Sequence, residues 1–296
     1  MFFSKKPQVA HIRLNGIIGN VGRFQQGMSL NSHEQIIKKA FSQKKLSAVA
    51  ISINSPGGSP VQSHLIFSLI RKLAIEKKVK VITFAEDVAA SGGYMLACAG
   101  DEIYANPSSI IGSIGVIYSS FGLKELIKKI GIERRVHTAG KNKSTLDPFM
   151  DEKPEDIERL KKIQLDLHEE FINLVKNSRK NKLPTDKDDS LFSGEFWSGT
   201  QSKELGLVDG LGNMEDVIQE KFGKKVLIKK YDKPESWLKK KLSNNISNEF
   251  GSLIDELESR SLWNRFGLWL KKKNKEKKNK ENKKNKFSKK NKICSN

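Results

Sequence analysis

The chain has 296 residues, 37% hydrophobic and 30% charged, enough apolar content for one large domain or two ordinary ones. Its net charge of +20 is uneven, because 13 lysines and two glutamates crowd residues 271–296 and leave a moderately basic body. Two cysteines, far apart, exclude a disulfide framework and a cysteine-built structural zinc site, and no stretch approaches the ~20 apolar residues of a membrane-spanning helix.

The N-terminal "MFFSKKPQVAHIRLNG" has neither a long apolar core nor a small-residue cleavage site, so it does not read as a signal peptide. Alternation over 8–14 predicts an edge or early strand, and the Gly-rich 16–30 a loop. A helix follows over 32–41 with Ser32 as a cap. The apolar run 46–54 fits a buried parallel strand, "SPGGSP" a turn, and 61–78 an amphipathic helix. Residues 79–86 give another buried-type strand, followed by "VAASGGYMLACAG". Short strands and turns are expected in 101–122, a helix over 123–131, a strand over 132–140 and a polar loop after it. Ile157, Leu160, Ile163, Leu167, Phe171 and Leu174 mark a long helix from Pro154 to about Lys182. A short helix at "MEDVIQEKFG" and a strand at "KVLIKKY" complete the body. The segment 246–270 is amphipathic, and the lysine/asparagine tail has too little to bury for a fold.

Strand, glycine turn, helix, repeated, predicts βα units on a parallel sheet. Ligands and catalytic groups gather at the carboxyl ends of such strands, where both glycine turns fall. In "NSPGG", Asn54 to Gly58, two glycines free backbone N–H groups to point outward, as an oxyanion hole requires. Ser91 stands at a helix start, with Gly92 behind it as a second donor. Each motif also has an ordinary use, a tight turn in the first case and a serine N-cap in the second. A serine nucleophile needs a base. Of the five histidines only His137 falls in a polar loop region; His11, His33, His64 and His168 fall on strand or helix patterns. A lysine is the other option, and "AGKNKSTLDPF" offers Lys141 and Lys143, between which composition does not choose.

Four stretches in order, "INSPGGS", "AASGGYMLACAGDEIYANPSSIIGSIGV", "AGKNKS" and "FWSGTQSKELGLVDGLG", resemble the signal peptide peptidase A family of serine proteases in its single-unit form, over roughly residues 8–230. The resemblance implies an α/β fold of ClpP/crotonase type, with repeated ββα/βα units and a mainly parallel sheet. It implies a Ser/Lys dyad in which Ser91 is the nucleophile, Lys143 the general base, Ser113 the residue orienting the lysine amine, and Gly58 an oxyanion donor. The Gly92 amide is added as the second donor on the physical argument above. Gly206 to Gly212 matches a structural signature of the family. The implied activity is cleavage of short, unfolded or apolar peptides such as signal-peptide remnants, without cofactor or metal, and since the sequence shows no Gly-rich loop ending in Gly-Lys-Ser/Thr, ATP-independent cleavage is expected. The implied partners are peptide substrates and further copies of the chain, in a ring with sites at subunit junctions.

The expected organisation is a peptidase domain over 1–232, an amphipathic helical extension over 233–270 and a disordered basic tail over 271–296. Family members typically carry an N-terminal membrane helix, which this sequence lacks, so a cytoplasmic location is expected. Segment 246–270 and the tail offer peripheral contact with an anionic membrane, and nucleic acid is not an expected partner. Two other readings keep the fold: a crotonase-type acyl-CoA enzyme, and an inert peptide- or membrane-associated scaffold.

Overall fold

A computed structural model describes residues 6–19, 27–184 and 188–232. The extension and tail expected beyond residue 232 lie outside the described residues. In chain order the elements are β1 (Gln8–Asn15), α1 (Leu30–Phe41), β2 (Leu46–Ser55), α2 (Pro60–Lys77), β3 (Lys80–Ala90), α3 (Gly92–Ala97), β4 (Glu102–Ala105) and β5 (Ile110–Gly112). There follow α4 (Lys124–Lys129), α5 (Pro154–Arg179), α6 (Asp188–Leu191), β6 (Phe196–Ser198), α7 (Gly199–Glu204), β7 (Gly210–Leu211), α8 (Met214–Phe222) and β8 (Leu227–Tyr231).

The strands form one sheet in the order β6-β5-β3-β2-β1-β8, with β4 branching from β3 and β7 pairing with β4. Every pairing is parallel except β5 with β6. The architecture is therefore the expected α/β one with a mainly parallel sheet. β1 is an interior strand, between β2 and β8, and not an edge. β2 is buried from Ala48 onward, which explains its near-continuous apolar sequence.

One face of the sheet carries the main core. There Ala10, Ile12, Val49 and Ile51 meet Ile37 of α1 and Ile66 and Ile70 of α2. Helix α2 starts where Ser59 accepts from the Gln62 amide and Pro60 stands at the first helical position. It buries Ser63, Ile66, Ile70 and Ala74, spaced for one face. On the opposite face Val9, Ala48, Ala50, Ile82 and Phe84 are covered by Val217 and Ile218 of α8.

Two local expectations are corrected. The cap of α1 is Ser29, which forms a reciprocal capping box with Ser32, so Ser32 is the partner three positions in. The strand expected over 132–140 is absent: these residues, exposed except for half-buried Val136, pair with no strand among the described residues; a β-type sequence without a neighbouring edge has nowhere to place its backbone hydrogen bonds. The long α5 helix is present, but its apolar stripe is buried only near its C-terminal end, at Phe171 and Val175, while Ile163 is 57% exposed.

Candidate active site

β2 ends at Ser55, and the chain turns through Pro56, Gly57 and Gly58 into α2. Ile18 clamps this turn: its amide donates to the Gly57 carbonyl at 2.8 Å, and its carbonyl accepts from the Ser59 amide at 2.8 Å. Gly58 between them has φ 141°, and a Cβ there would stand 2.0 Å from the Ile18 oxygen, so only glycine fits. The Gly58 N–H has no hydrogen-bond partner among the described residues.

β3 ends in the second turn. Ser91 has φ 51° and ψ −125°, a conformation that costs a side-chain-bearing residue about 1–3 kcal/mol and persists only where its surroundings enforce it. The enforcement is visible: its amide donates to the Gly112 carbonyl at 2.7 Å, and its carbonyl accepts from Tyr94 and Met95 at 2.8 and 3.0 Å. Its hydroxyl does not cap α3 and has no hydrogen-bond partner among the described residues. The ordinary explanation of this serine, a side-chain N-cap, is thereby removed. Gly92 follows with an N–H that is likewise unpartnered among the described residues.

The two turns touch. A Cβ on Gly57 would lie 2.8 Å from the Ser91 Cβ and 3.0 Å from the Gly92 nitrogen. A Cβ on Gly92 would lie 2.3 Å from Ser63 Oγ on α2, and one on Gly93 2.5 Å from the Ser55 carbonyl oxygen. The small residues of "ASGG" are thus explained by close approach of two backbones.

Gly58, Ser91, Gly92 and Ser113 all line one cleft of about 930 Å³. Ser113 also has a positive φ, 53°, held by its amide donating to the Glu195 carbonyl at 2.6 Å. Met95, Val116, Ile117, Leu167 and Phe171 give the cleft apolar walls. His168 lines it too, with Nε2 hydrogen-bonded at 3.1 Å to the carbonyl of Ile114, next to Ser113. The helical pattern assigned His168 a structural place; nothing in the sequence signalled that its helix forms a cleft wall.

Lys143 is not brought to the cleft. It is exposed, in a run of turns, and is not among the lining residues. His137 and Lys141 are exposed and likewise absent from the lining. The segment that carries them, 116–152, is rich in uncovered apolar side chains: Ile117 is 64% exposed, Ile130 61% and Phe121 53%.

The Gly206–Gly212 segment braces the cleft from behind. Gly206 has φ 71°, and a Cβ would lie 1.9 Å from the Lys182 carbonyl. Tyr94, on the helix that follows Ser91, donates its hydroxyl to the Leu207 carbonyl at 2.8 Å. Asp209 accepts from Arg179 at 2.9 and 3.1 Å, from Lys182 at 2.5 Å and from the Ile103 amide at 2.8 Å. Burial opposes the Asp209 charge, but these donors outweigh it and hold the carboxyl at about 2. Cys98 nearby is pushed up to about 12 by burial, so it stays a thiol and supplies no nucleophile.

The model of peptidase family S49 matches residues 74–227. A Brucella abortus (strain 2308) protein named Na(+)/H(+) antiporter NhaA is 50% identical over 281 residues, covering 90% of this chain and 38% of that protein. Its name describes a transporter, whereas no helix among the residues described here is long and apolar enough to cross a membrane. The chloroplastic serine protease SPPA of Arabidopsis thaliana is 33% identical, over 85% of this chain and 39% of that one. The chain thus spans about two fifths of the length of these two relatives. A solved serine-to-alanine mutant of the 1510-N membrane-bound stomatin-specific protease covers 78% of this chain and 100% of its own, with TM-score 0.47 and 15% identity. With the family model over half its length and a one-third identity to a serine protease of the SppA type, the chain belongs to peptidase family S49.

Proposed function

We propose that the chain is a serine endopeptidase with a Ser/Lys dyad, acting without ATP on short, unfolded, apolar peptides such as signal-peptide remnants. The observation that carries this reading is the Ser91 turn: an uncapped hydroxyl at a strained φ, beside two unpartnered amides, in a cleft with apolar walls. The Ser91 hydroxyl attacks the peptide carbonyl while its proton passes to the Lys143 amine. The Gly58 and Gly92 N–H groups hold the resulting oxyanion; such a donor is typically worth about 10²–10³ in rate. The lysine ammonium then protonates the leaving amine, and water releases the acyl group from Ser91 by the reverse sequence. Ser113 hydrogen-bonds the lysine and aims it.

A lysine serves as base only while its amine is neutral, and burial favours that form. The exposed apolar side chains of 116–152 support a homo-oligomer in which this segment packs on another copy and its lysine is covered. Peripheral membrane contact through 246–270 and the basic tail remains part of the proposal, supported by the sequence alone. The test is to identify peptides cut by the wild type and spared by Ser91→Ala and by Lys143→Ala. Turnover retained in either purified, folded variant contradicts the dyad, and an unlabelled Ser91 under a serine-reactive phosphonate redirects the reading to crotonase-type chemistry.

A further inference from the structure

The register between β2 and β3 slips just before the two turns. Ile53 pairs with Ala85, but Ser55 pairs with Ala89, so β3 carries a bulge at Glu86–Val88 opposite Asn54. Asn54 is buried, 8% exposed, and its side chain spans this bulge. Its Oδ1 accepts from the Val88 amide at 3.2 Å, and its Nδ2 donates to Asp87 Oδ2 at 3.1 Å. Its own carbonyl accepts from the Gly16 amide at 3.0 Å, which fixes the strand behind it. The bulge is braced on its far side as well, where the Ser109 hydroxyl donates to the carbonyls of Ala85 and Glu86.

Asn54 stands four residues before Gly58, and Val88 three before Ser91. One side chain therefore links the strand that delivers the oxyanion glycine to the strand that delivers the serine, at the point where ladder hydrogen bonds are interrupted. We infer that Asn54 is a positioning residue for the reaction, with Asp87 as its anchor, and that their contact sets the offset between the Gly58 amide and Ser91 Oγ. This rests on the peptidase reading above. Misplacement of reacting groups by about 1 Å can cost on the order of a hundredfold in rate. Opposite Asp87 a carboxylate at position 54 could accept from the backbone N–H but not donate to its neighbour, whereas the amide does both.

The test compares the full-length wild type with Asn54→Ala, Asn54→Asp, and Asn54→Asp combined with Asp87→Asn, using an apolar peptide substrate. Asn54→Ala is expected to lower kcat about 10- to 100-fold with KM nearly unchanged, since the contact acts on the reacting geometry and not on the cleft walls. Asn54→Asp sets its carboxylate against that of Asp87 and is expected to fall at least as far. The double variant reverses donor and acceptor across the same contact and is expected to recover most of kcat. Unchanged kcat in folded Asn54→Ala, or no recovery in the double variant while Asn54→Asp is impaired, overturns the inference. Amide hydrogen exchange provides a readout that does not depend on turnover. Faster exchange at Val88 in Asn54→Ala supports the clamp, and unchanged exchange overturns it. A wild type without turnover or Ser91 labelling contradicts the peptidase reading and leaves the exchange result to decide the clamp.

Discussion

The Ser91 amide donates to the Gly112 carbonyl at 2.7 Å, so two serines with positive φ, Ser91 and Ser113, are fixed at a single junction of β3 and β5. Regular strand or helix geometry would aim neither hydroxyl where it stands. The junction accounts for how a sheet built from ordinary buried strands holds two strained serines in one cleft.

The strain at Ser91 should be measurable in stability. Ser91→Gly removes the side chain that makes φ 51° costly, so its thermal midpoint should equal or exceed that of Ser91→Ala. Both variants should be inactive on peptides. Differential scanning calorimetry with a peptide assay checks both statements.

Gly92→Ala places a Cβ 2.3 Å from Ser63 Oγ, and should lower both stability and turnover. The obstructing atom is a side-chain hydroxyl, so adding Ser63→Ala should recover part of the stability. Gly58→Ala meets the Ile18 backbone at 2.0 Å, and a second side-chain change offers no such relief there. Comparing denaturation midpoints of the three variants checks the distinction.

Asp209 joins α5, β4 and the Gly206–Gly212 segment. Asp209→Ala strands Arg179, whose side chain is 1% exposed, and should cost about 3–5 kcal/mol in urea denaturation. Turnover should fall only as far as folded protein is lost, because Asp209 does not line the cleft.

The same carboxylate predicts acid sensitivity. Asp209 falls from an ordinary 3.8 to about 2, where burial is outweighed by Arg179, Lys182 and the Ile103 amide. Glu102 falls from 4.5 to about 2, where burial is outweighed by Lys221, Lys80 and Tyr104. Both groups bind protons more readily when unfolded, so their stabilisation is complete above about pH 4.5 and is lost as pH falls towards 2. Buried His11, lowered from 6.5 chiefly by desolvation, adds a loss of stability as pH falls below that value. Asp209→Asn should flatten the profile between pH 4 and 2.

Much of this arrangement is legible in the sequence. Period, composition and glycine turns locate β2, α2 and β3, and place Gly58 and Ser91 at strand ends, because buried parallel strands and tight turns leave strong local signals. What is not legible depends on contacts distant in the chain. The bulge that pairs Asn54 with Asp87 arises from register, which periodicity does not encode. His168 joins the cleft only through the packing of α5. Helical spacing of apolar residues marks α5 without naming what covers it: Phe171 is buried, while Ile163 is 57% exposed. Ser29 and Ser32 are chemically equivalent caps, and only the backbone distinguishes them.

In the proposed mechanism Ser91 is a nucleophile activated by Lys143. Mass spectrometry of the protein after treatment with a fluorophosphonate, at equal times and concentrations, tests it most directly. An adduct is expected on Ser91 in the wild type, none in Ser91→Ala, and markedly slower labelling in folded Lys143→Ala. A wild-type Ser91 that stays unmodified, or equal labelling rates in wild type and Lys143→Ala, would contradict it.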